Sequence, residues 1–406
     1  MNYLKEIKNK GLFVKDHLDE LQGKKVFLRI DTNSAVVDGK VDVDSYKVFA
    51  HSGTLKKYVD NGLLPVIVSH QGRKGDEDFV PSLKSIAEKM EELSGVKVRY
   101  VDEVMGKKVC DSIKKLKSGE ALMIKNIRDH PDETLENIAE MTKSPLTKFF
   151  CNEVNAFIND GLSVCHRNQL SVVGFYGRMP YFYGLLLESE IQSLEEVKNE
   201  LANGKEVTFF VGGKKFEKIN YLEKILQYPG ARFLTGGLVG QYIAYADGLE
   251  MNEENVELLD EAEIANAKKL MDKFKGKILY PVDYVLDDGS IVNKDELPSS
   301  HGVVMDVGPE TLDFYSNSIN GRSIFAGVMG VFEKGFNNTL ELMRKVAGPN
   351  TLDLGGHSSA CLFRDHGIYQ YFIDKGGKVL TAGGAALSIL AGDKMPGLEI
   401  CLSSIL

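Results

Sequence analysis

Short apolar runs recur along the chain, and amphipathic stretches separate them. In the first half these runs predict five strands: Lys25–Ile30, Leu64–Val68, Val96–Tyr100, Leu122–Ile127 and Ala156–Ile158. Because the runs are continuous rather than alternating, we expect strands that are buried on both faces of a parallel sheet. Between them, apolar residues at helical spacing predict helices over Ser45–Asn61 and Ser82–Leu93.

The second half repeats this alternation. Seven more strands are predicted there: Val207–Val211, Arg232–Thr235, Ile278–Pro281, Gly302–Val307, Ile324–Ala326, Thr351–Leu354 and Lys378–Thr381. Several of them lead directly into paired glycines, namely Gly212–Gly213, Gly236–Gly237, Gly355–Gly356 and Gly383–Gly384. A strand, a Gly-Gly turn and a helix in succession open a helix N-terminus towards an anion. The pattern therefore predicts an α/β protein made of two doubly wound parallel-sheet lobes with a cleft between them.

One uninterrupted helical pattern separates the two halves. Leu185–Asn203 contains no glycine or proline, which predicts a single helix that joins the lobes. Its acidic pair, Glu195–Glu196, is expected on a solvent-exposed face. A chain of 406 residues is long enough for two domains of ordinary size. We place an N-terminal lobe at residues 1–187 and a C-terminal lobe at residues 188–389.

Composition narrows the functional class. The chain has 49 Lys and Arg against 58 Asp and Glu, a net charge of −9, and no extended basic run, which argues against broad nucleic-acid binding. Five separated cysteines without a C-x-x-C pair argue against a disulfide framework or a zinc site and favour a reducing cytoplasm. No secretory signal and no bilayer-spanning apolar run is visible, so a membrane is not expected as a partner. Because of the charge balance, a nucleic acid is not expected as a partner either.

Polar and cationic residues gather where the predicted strands of the first lobe end. The segments concerned are Arg29–Asn33, His70–Arg73, Arg128 and His166–Arg167. Because the carboxyl ends of parallel strands meet at one edge of a sheet, we expect His70, Arg73, Arg128 and Arg167 in one region. Such a set would bind a small, multiply charged anion through guanidinium contacts. The alternative is that these arginines are unrelated surface residues.

Phosphate-binding turns are the chemical signal of the second lobe. The lobe has neither a G-x-x-x-x-G-K-[ST] loop nor a G-x-G-x-x-G fingerprint. Lys214 and Lys215 follow one Gly-Gly turn, and the helix that is predicted from His357 could still accept a phosphate at its N-terminus. A structural turn with a capping histidine is the alternative reading of that segment.

Ten segments in order make the chain resemble phosphoglycerate kinase, and in particular its archaeal branch. They are LRIDTN, SHQGRKGDEDF, KNIRDHPDET, FINDGLSVCHR, VGGKKFEKI, LTGGLVG, MDVGPET, GVMGVFE, DLGGHSSA and LTAGGAALSILAGDKMPG. The resemblance implies two Rossmann-like lobes joined by a connecting helix. It places 3-phosphoglycerate on the first lobe and ATP or ADP with Mg²⁺ on the second. It also implies that residues from about 390 to 406 pack back on the first lobe, in a monomer or homodimer.

The resemblance also implies roles for individual residues. The acid-binding set is Asp31, Thr32, Asn33, Lys47, His70, Gln71, Gly72, Arg73, Arg128 and Arg167. The nucleotide-binding set is Gly213, Lys215, Gly236, Gly237, Glu333, Leu354, Gly355, Gly356 and His357. Lys47, Arg167 and Lys215 are expected to act on the transferring phosphoryl group. Lys47 stands where the family has an arginine, and His357 stands where branches other than the archaeal one have an aspartate near magnesium.

We therefore expect a kinase that transfers a phosphoryl group between ATP or ADP and the carboxyl of 3-phosphoglycerate, as in glycolysis and gluconeogenesis. The protein would be cytoplasmic, and hinge closure would bring its two substrates together. Two alternatives stay open on the sequence. One is a paralogue that phosphorylates another anionic carboxylic acid, and the other is a catalytically weak homologue that binds ligands.

Overall fold

The chain divides into two compact units. The computed structural model describes residues 1–214 and 219–402. Residues 1–195 and the C-terminal segment from Asp393 belong to the first unit, and residues 196–392 form the second. The division falls inside α8, Leu185–Ala202, so the predicted connecting helix is confirmed. Which ligand each unit binds stays a prediction.

A six-stranded parallel sheet forms the centre of the first unit. Its strands are β1 (Lys25–Arg29), β4 (Leu64–Val68), β5 (Lys97–Val101), β6 (Glu120–Ile124), β7 (Ala156–Asn159) and β8 (Tyr181–Tyr183), in the order β5-β6-β4-β1-β7-β8. A small antiparallel ribbon pairs β2 (Val36–Val37) with β3 (Lys40–Val41). Arg29 at the end of β1 lies opposite Val68 and Asn159, so the ends of the three central strands are level.

Helices cover both faces of this sheet. They are α1 (Tyr3–Asn9), α2 (Tyr46–Asp60), α3 (Lys84–Ser94), α4 (Lys107–Lys114), α5 (Ile138–Met141), α6 (Pro145–Glu153), α7 (Leu170–Val173), the start of α8, and α18 (Pro396–Glu399). Helix α2 begins after Ser45, whose hydroxyl accepts a hydrogen bond from the Val48 amide, as an N-cap serine does. Its buried Leu55 and Tyr58 belong to the core on one side of the sheet. Stacked and tilted Phe rings around Phe27 fill the other side.

The second unit repeats the parallel design and adds a small antiparallel sheet. The parallel strands are β9 (Val207–Val211), β10 (Ala231–Thr235), β11 (Ile278–Leu279), β15 (Arg322–Ala326), β16 (Thr351–Asp353) and β17 (Lys378–Val379), in the order β11-β10-β9-β15-β16-β17. Strands β12 (Asp283–Leu286), β13 (Ile291–Asn293) and β14 (Val304–Val307) form the antiparallel sheet. The helices are α9 (Ile219–Leu226), α10 (Gly237–Ala246), α11 (Glu253–Val256), α12 (Glu261–Phe274), α13 (Pro309–Asn317), α14 (Asn338–Val346), α15 (His357–Arg364), α16 (His366–Asp374) and α17 (Gly384–Leu390).

Three expectations about these elements are wrong. The strand predicted over Leu122–Ile127 ends at Ile124, because Asn126 accepts a hydrogen bond from the Arg128 amide and starts a short 3-10 helix. The strand predicted over Gly302–Val307 is shorter and pairs antiparallel with β12, since hydrophobicity alone does not reveal a strand's partner. Glu195 is buried rather than exposed, because its carboxylate accepts the Tyr3 amide at the start of α1, 3.0 Å away.

The C-terminal segment is held within the first unit by backbone contacts. The Gly397 amide donates to the Cys165 carbonyl at 2.8 Å, and the Tyr183 hydroxyl contacts the carbonyls of Gly397 and Leu398, both at 3.0 Å. A side chain at Gly397 would come within 2.8 Å of Cys165 Cα, so only glycine fits there. All five cysteines are free thiols. None of the helices in residues 1–214 and 219–402 has the length and apolarity needed to cross a bilayer.

Candidate functional site

Asp31 is the centre of the polar cluster at the carboxyl edge of the first sheet. Its carboxylate contacts Lys47 Nζ at 2.5 Å through Oδ2, and the Ser163 hydroxyl donates to the same oxygen. His70 Nδ1 lies 3.7 Å from the other oxygen. Burial alone would raise the pKa of Asp31, but the charge of Lys47 and the hydrogen bonds from Lys47 and Ser163 hold it well below its usual range. Asp31 is therefore a buried carboxylate that fixes the Lys47 ammonium.

Three of the predicted residues form hydrogen bonds that connect the loop after β1 to the loop after β4. Asn33 Oδ1 accepts from the Gly72 amide at 2.8 Å. Gln71 binds the Ser34 backbone through both its amide oxygen and its amide nitrogen, at 3.1 and 2.8 Å. Thr32 donates to Ser69 Oγ from its hydroxyl, at 2.8 Å, and from its amide, at 3.0 Å. These contacts set the shape of the loops that carry the cations.

Gly72 lets the loop after β4 fold back closely on itself. Its φ is +63°, in the left-handed region, and a Cβ there would stand 2.2 Å from the Asp78 carbonyl oxygen. The Gly72 carbonyl accepts a hydrogen bond from Arg128 Nη1. The loop after β4 is thus tied to the residue that follows β6.

Four arginines lie near one another in this region with few carboxylates to balance them. Arg128 is almost completely buried, and its Nη2 has no hydrogen-bond partner in the part of the chain that the structure describes. Burial and the charges of Arg167 and Arg29 lower the pKa of Arg128 to about 10. Arg167 is half-buried, and burial together with the exposed Arg73 lowers its pKa as well. Arg73 and Arg167 line an open cavity of about 490 Å³. The arrangement is suited to an anion that neutralises several guanidinium groups.

Sequence reasoning placed no role on the buried residues behind this cluster. Arg29 is fully buried: Nε donates to Ser171 Oγ at 2.8 Å, and Nη2 lies 3.2 Å from His70 Nδ1. Glu133, also fully buried, accepts from both the amide and the hydroxyl of Ser171. His51 accepts the Asp31 amide through Nε2 at 3.2 Å. The only signal of this network in the sequence was an arginine directly after the apolar residues Val26–Leu28. The rest was not visible because its partners are up to 142 residues away.

The second unit brings two predicted glycine turns together. Gly236 precedes α10, whose first residue is Gly237. A Cβ on Gly237 would stand 3.2 Å from the Gly213 amide nitrogen, and the Val239 amide donates to the Gly213 carbonyl at 3.3 Å. The turns that follow β9 and β10 are therefore in direct backbone contact. Lys215, the lysine predicted to act in catalysis, lies outside the described residues.

The turn after β16 carries a second group of predicted residues. Leu354, Gly355 and Gly356 connect β16 to α15, whose first residue is His357. His357 Nε2 lies 3.2 Å from the exposed carboxylate of Glu333, so two predicted nucleotide-site residues are in contact. Leu354 itself is buried.

Asp353, which the sequence did not single out, supports this turn from inside. Its Oδ1 accepts from the Ser358 hydroxyl at 2.5 Å and from the Gly355 amide at 3.4 Å. Its Oδ2 is buried and has no partner among the described residues. Burial raises the pKa of Asp353 to about 7.

Comparisons with known proteins agree with this arrangement. A family model described as phosphoglycerate kinase matches residues 14–393. The chain belongs to the phosphoglycerate kinase family. Members of this family are ATP-dependent phosphotransferases that act on the carboxyl of 3-phosphoglycerate. The resemblance drawn from ten sequence segments is confirmed.

Archaeal members of the phosphoglycerate kinase family are similar to the chain over nearly its whole length. A protein of Saccharolobus solfataricus named phosphoglycerate kinase is 32% identical and covers 95% of this chain and 96% of its own. One of Sulfolobus acidocaldarius is 33% identical, with 94% and 93% covered. The crystal structure of phosphoglycerate kinase from Pyrococcus horikoshii OT3 matches with a TM-score of 0.83 at 30% identity, covering 96% of this chain and 98% of that one. The enzyme structure from Coxiella burnetii matches with a TM-score of 0.69 at 25% identity, covering 94% and 97%. The α/β fold with two parallel-sheet domains is confirmed.

Proposed function

We propose that the chain catalyses phosphoryl transfer between ATP or ADP and the carboxyl of 3-phosphoglycerate, with the acid on the first unit and the nucleotide on the second. Relatives that carry this name match it over more than nine-tenths of its length, so the two alternatives from the sequence are not favoured. The observation that carries the acid site is Arg128, a buried guanidinium with one unpartnered nitrogen among the described residues. The free thiols suit a reducing cytoplasm.

In this proposal the acid's phosphate is held by the three guanidinium groups of Arg73, Arg128 and Arg167 together with the imidazole of His70. A buried guanidinium that lacks a hydrogen-bond acceptor is costly, and a phosphate oxygen supplies that acceptor with the opposite charge. Thr32, Asn33 and Gln71 act on the loops, where the structure has their polar atoms engaged. Their effect on the acid would be indirect.

Lys47 and Arg167 would stabilise the moving phosphoryl group. Phosphoryl transfer requires in-line positioning and neutralisation of the charge on the phosphoryl oxygens. Lys47 is held on the Asp31 carboxylate, so its ammonium is placed before substrate binds. Such preorganised charge acts on the transition state without reorganisation. We assign Lys215 the same function on the nucleotide side from the family resemblance.

The nucleotide would bind the glycine turns of the second unit. Gly213, Gly236 and Gly237 lie in the turns after β9 and β10, and Leu354–Gly356 lead into the N-terminus of α15, where His357 stands. Helix N-termini and free backbone amides favour phosphate groups. Glu333 would contact the ribose, as the resemblance implies.

Magnesium is expected to arrive with the nucleotide. Among the residues that the structure describes, no group of three or more His, Cys, Asp or Glu side chains forms a metal cage. Mg²⁺ normally keeps water and phosphate ligands and takes only one or two carboxylates from the protein. Asp353, whose Oδ2 has no partner among the described residues, would supply one such carboxylate beside the α15 turn. When bound, the ion would neutralise phosphate charge.

A coupled assay tests the function directly. Turnover is measured with 3-phosphoglycerate, ATP and Mg²⁺, and then with other phosphorylated or anionic carboxylic acids in place of 3-phosphoglycerate. We expect turnover with 3-phosphoglycerate that exceeds turnover with every other acid. Preference for another acid would favour the paralogue, and binding without turnover would favour the ligand-binding homologue.

A further inference from the structure

The imidazole Nδ1 of His70 lies near two groups, of which one would require it to accept a hydrogen bond and the other would require it to donate one. Arg29 Nη2 lies 3.2 Å from this nitrogen, and Asp31 Oδ1 lies 3.7 Å from it. A guanidinium can only donate a hydrogen bond, whereas a carboxylate can only accept one. The closer contact therefore requires Nδ1 to be an acceptor, which leaves the ring proton on Nε2.

We propose that Arg29, held by Ser171 and Glu133, is a positioning residue that keeps His70 neutral with its proton on Nε2. The inference rests on the proposed function in one respect: His70 Nε2–H is the atom that would donate to the bound acid. No residue in the described part of the chain is paired with His70 Nε2. A fixed donor towards the ligand is what an anion site needs from an imidazole.

The anchoring of Arg29 is what makes this control effective. Its Nε donates to Ser171 Oγ at 2.8 Å and its Nη1 donates to the Ile30 carbonyl, so two of the three guanidinium nitrogens are fixed. Glu133 accepts the Ser171 hydroxyl at 2.7 Å, which forces that hydroxyl to offer its lone pair to Arg29. Only Nη2 is left to meet His70. The planar fork determines where the donor points, which a lysine ammonium would not do.

Burial and the positive charges around His70 also favour its neutral form. Burial lowers the pKa of His70 well below its ordinary value; Asp31 opposes this, while Arg29, Arg128 and Lys47 add to it. Removing the Arg29 contact would leave Asp31 as the nearest partner of Nδ1. His70 would then take a proton on Nδ1 and pair with Asp31.

His51 provides an internal reference for the tautomer. Its Nε2 accepts the Asp31 amide at 3.2 Å, and an amide can only donate. Its proton is therefore on Nδ1, an atom with no partner among the described residues. The two histidines next to Asp31 should show opposite tautomers in one spectrum.

Nitrogen NMR of the ¹⁵N-histidine-labelled full chain without substrate tests the assignment. His51→Gln and His70→Gln identify the two sets of signals. We expect the directly bonded proton on Nε2 of His70 and on Nδ1 of His51 at pH 7. A wild-type His70 protonated on Nδ1, alone or together with Nε2, would overturn the proposal. Because this measurement involves no substrate, it stands or falls separately from kinase activity.

Arg29→Lys, with Arg99→Lys as matched control, tests the role of the guanidinium. Arg99 lies on β5 of the same sheet and pairs with Glu120 at the surface. We expect Arg29→Lys to move the His70 proton to Nδ1 and the control to leave it on Nε2. Ser171→Ala should shift the His70 signals in the same direction to a smaller extent, and it serves if Arg29→Lys does not fold. Unchanged His70 signals in the folded variants would refute the role of Arg29.

The KM for 3-phosphoglycerate gives a second readout that a merely structural role would not move. In Arg29→Lys, neutral His70 would carry its proton on Nδ1 and present the Nε2 lone pair to the acid's phosphate, so one donated hydrogen bond would be lost. The KM of this variant at pH 7 should therefore be about tenfold above that of Arg99→Lys, the scale of losing one hydrogen bond to a charged group. Equal KM values in the two variants would contradict the proposal.

Discussion

Replacing Arg128 with alanine tests whether 3-phosphoglycerate and the nucleotide bind to different units of the protein. The side chain is 6% exposed, donates through Nη1 to the Gly72 carbonyl, and has an unpartnered Nη2 within the described chain. In the proposed complex it pairs a desolvated guanidinium with a phosphate. Truncating one partner of such a pair costs about 2–4 kcal/mol, which corresponds to a loss of about 30- to 700-fold in affinity for 3-phosphoglycerate.

The same substitution should leave the free protein folded. Arg128 lies near Arg29 and Arg167, whose positive charges repel its own. Removing the Arg128 side chain therefore relieves this repulsion, although it also deletes one hydrogen bond. Calorimetric titration with 3-phosphoglycerate and, separately, with Mg·ADP provides the assay. The Kd for Mg·ADP should change by less than about twofold, because the proposed nucleotide residues all belong to the other unit.

Arg99→Ala is the matched control, since it removes an exposed arginine of the same sheet that pairs with Glu120 at 2.7 Å. Surface pairs of this kind contribute about 0–1 kcal/mol, so binding of both ligands should be unchanged. Equal weakening of both ligands by Arg128→Ala would refute the assignment of one ligand to each unit. Unchanged affinity for 3-phosphoglycerate would refute the role of the buried guanidinium.

Substitutions at three further positions test the transfer chemistry and the α15 turn. Lys47→Ala should remove most of kcat. Lys47→Arg should keep or raise kcat, because a guanidinium can contact two phosphoryl oxygens in one plane. Wild-type turnover in Lys47→Ala would show that the lysine only pairs with Asp31. Lys215→Ala should lower kcat by about 10²-fold in steady-state assays with smaller changes in KM, and a kcat within a few-fold of wild type would refute its role. Asp353 has a folded pKa raised to about 7, so its contribution to stability is complete below the unfolded pKa and is lost as pH rises towards 7. Asp353→Asn should flatten the fall in unfolding free energy between about pH 4 and pH 7 in urea titrations, and an unchanged slope would contradict the burial argument.

The elements that the sequence predicted well are those whose pattern depends on local burial. Leu64–Val68 was found because a central strand is covered on both faces and every position is apolar. The prediction that Glu195 is exposed was wrong because the pattern of one helix does not show that the start of α1 packs against it. The antiparallel strands β12 and β13 have only four and three residues, so they leave little periodicity to detect.

Part of the candidate site could likewise be predicted from the sequence and part of it could not. Cations at strand ends could be found from the sequence because the parallel fold brings such ends together. The network behind them could not, since the role of Arg29 depends on Ser171, 142 residues away, and that of His51 on one backbone amide. Side chains that contact a ligand follow from family resemblance, whereas those that orient them require three-dimensional contacts.

The return of the C-terminal segment to the first unit has a consequence for the order of biosynthesis. The ribosome delivers residues 196–392 before the segment that supplies the carbonyls of Gly397 and Leu398 to Tyr183. Domains usually complete their folding in the order of translation. Here the first unit must wait with the Tyr183 hydroxyl and the Cys165 carbonyl unpaired until the second unit has been made. A chain that ends at Gly392 and has been released from the ribosome should therefore carry a protease-resistant second unit and a first unit that is still open to cleavage.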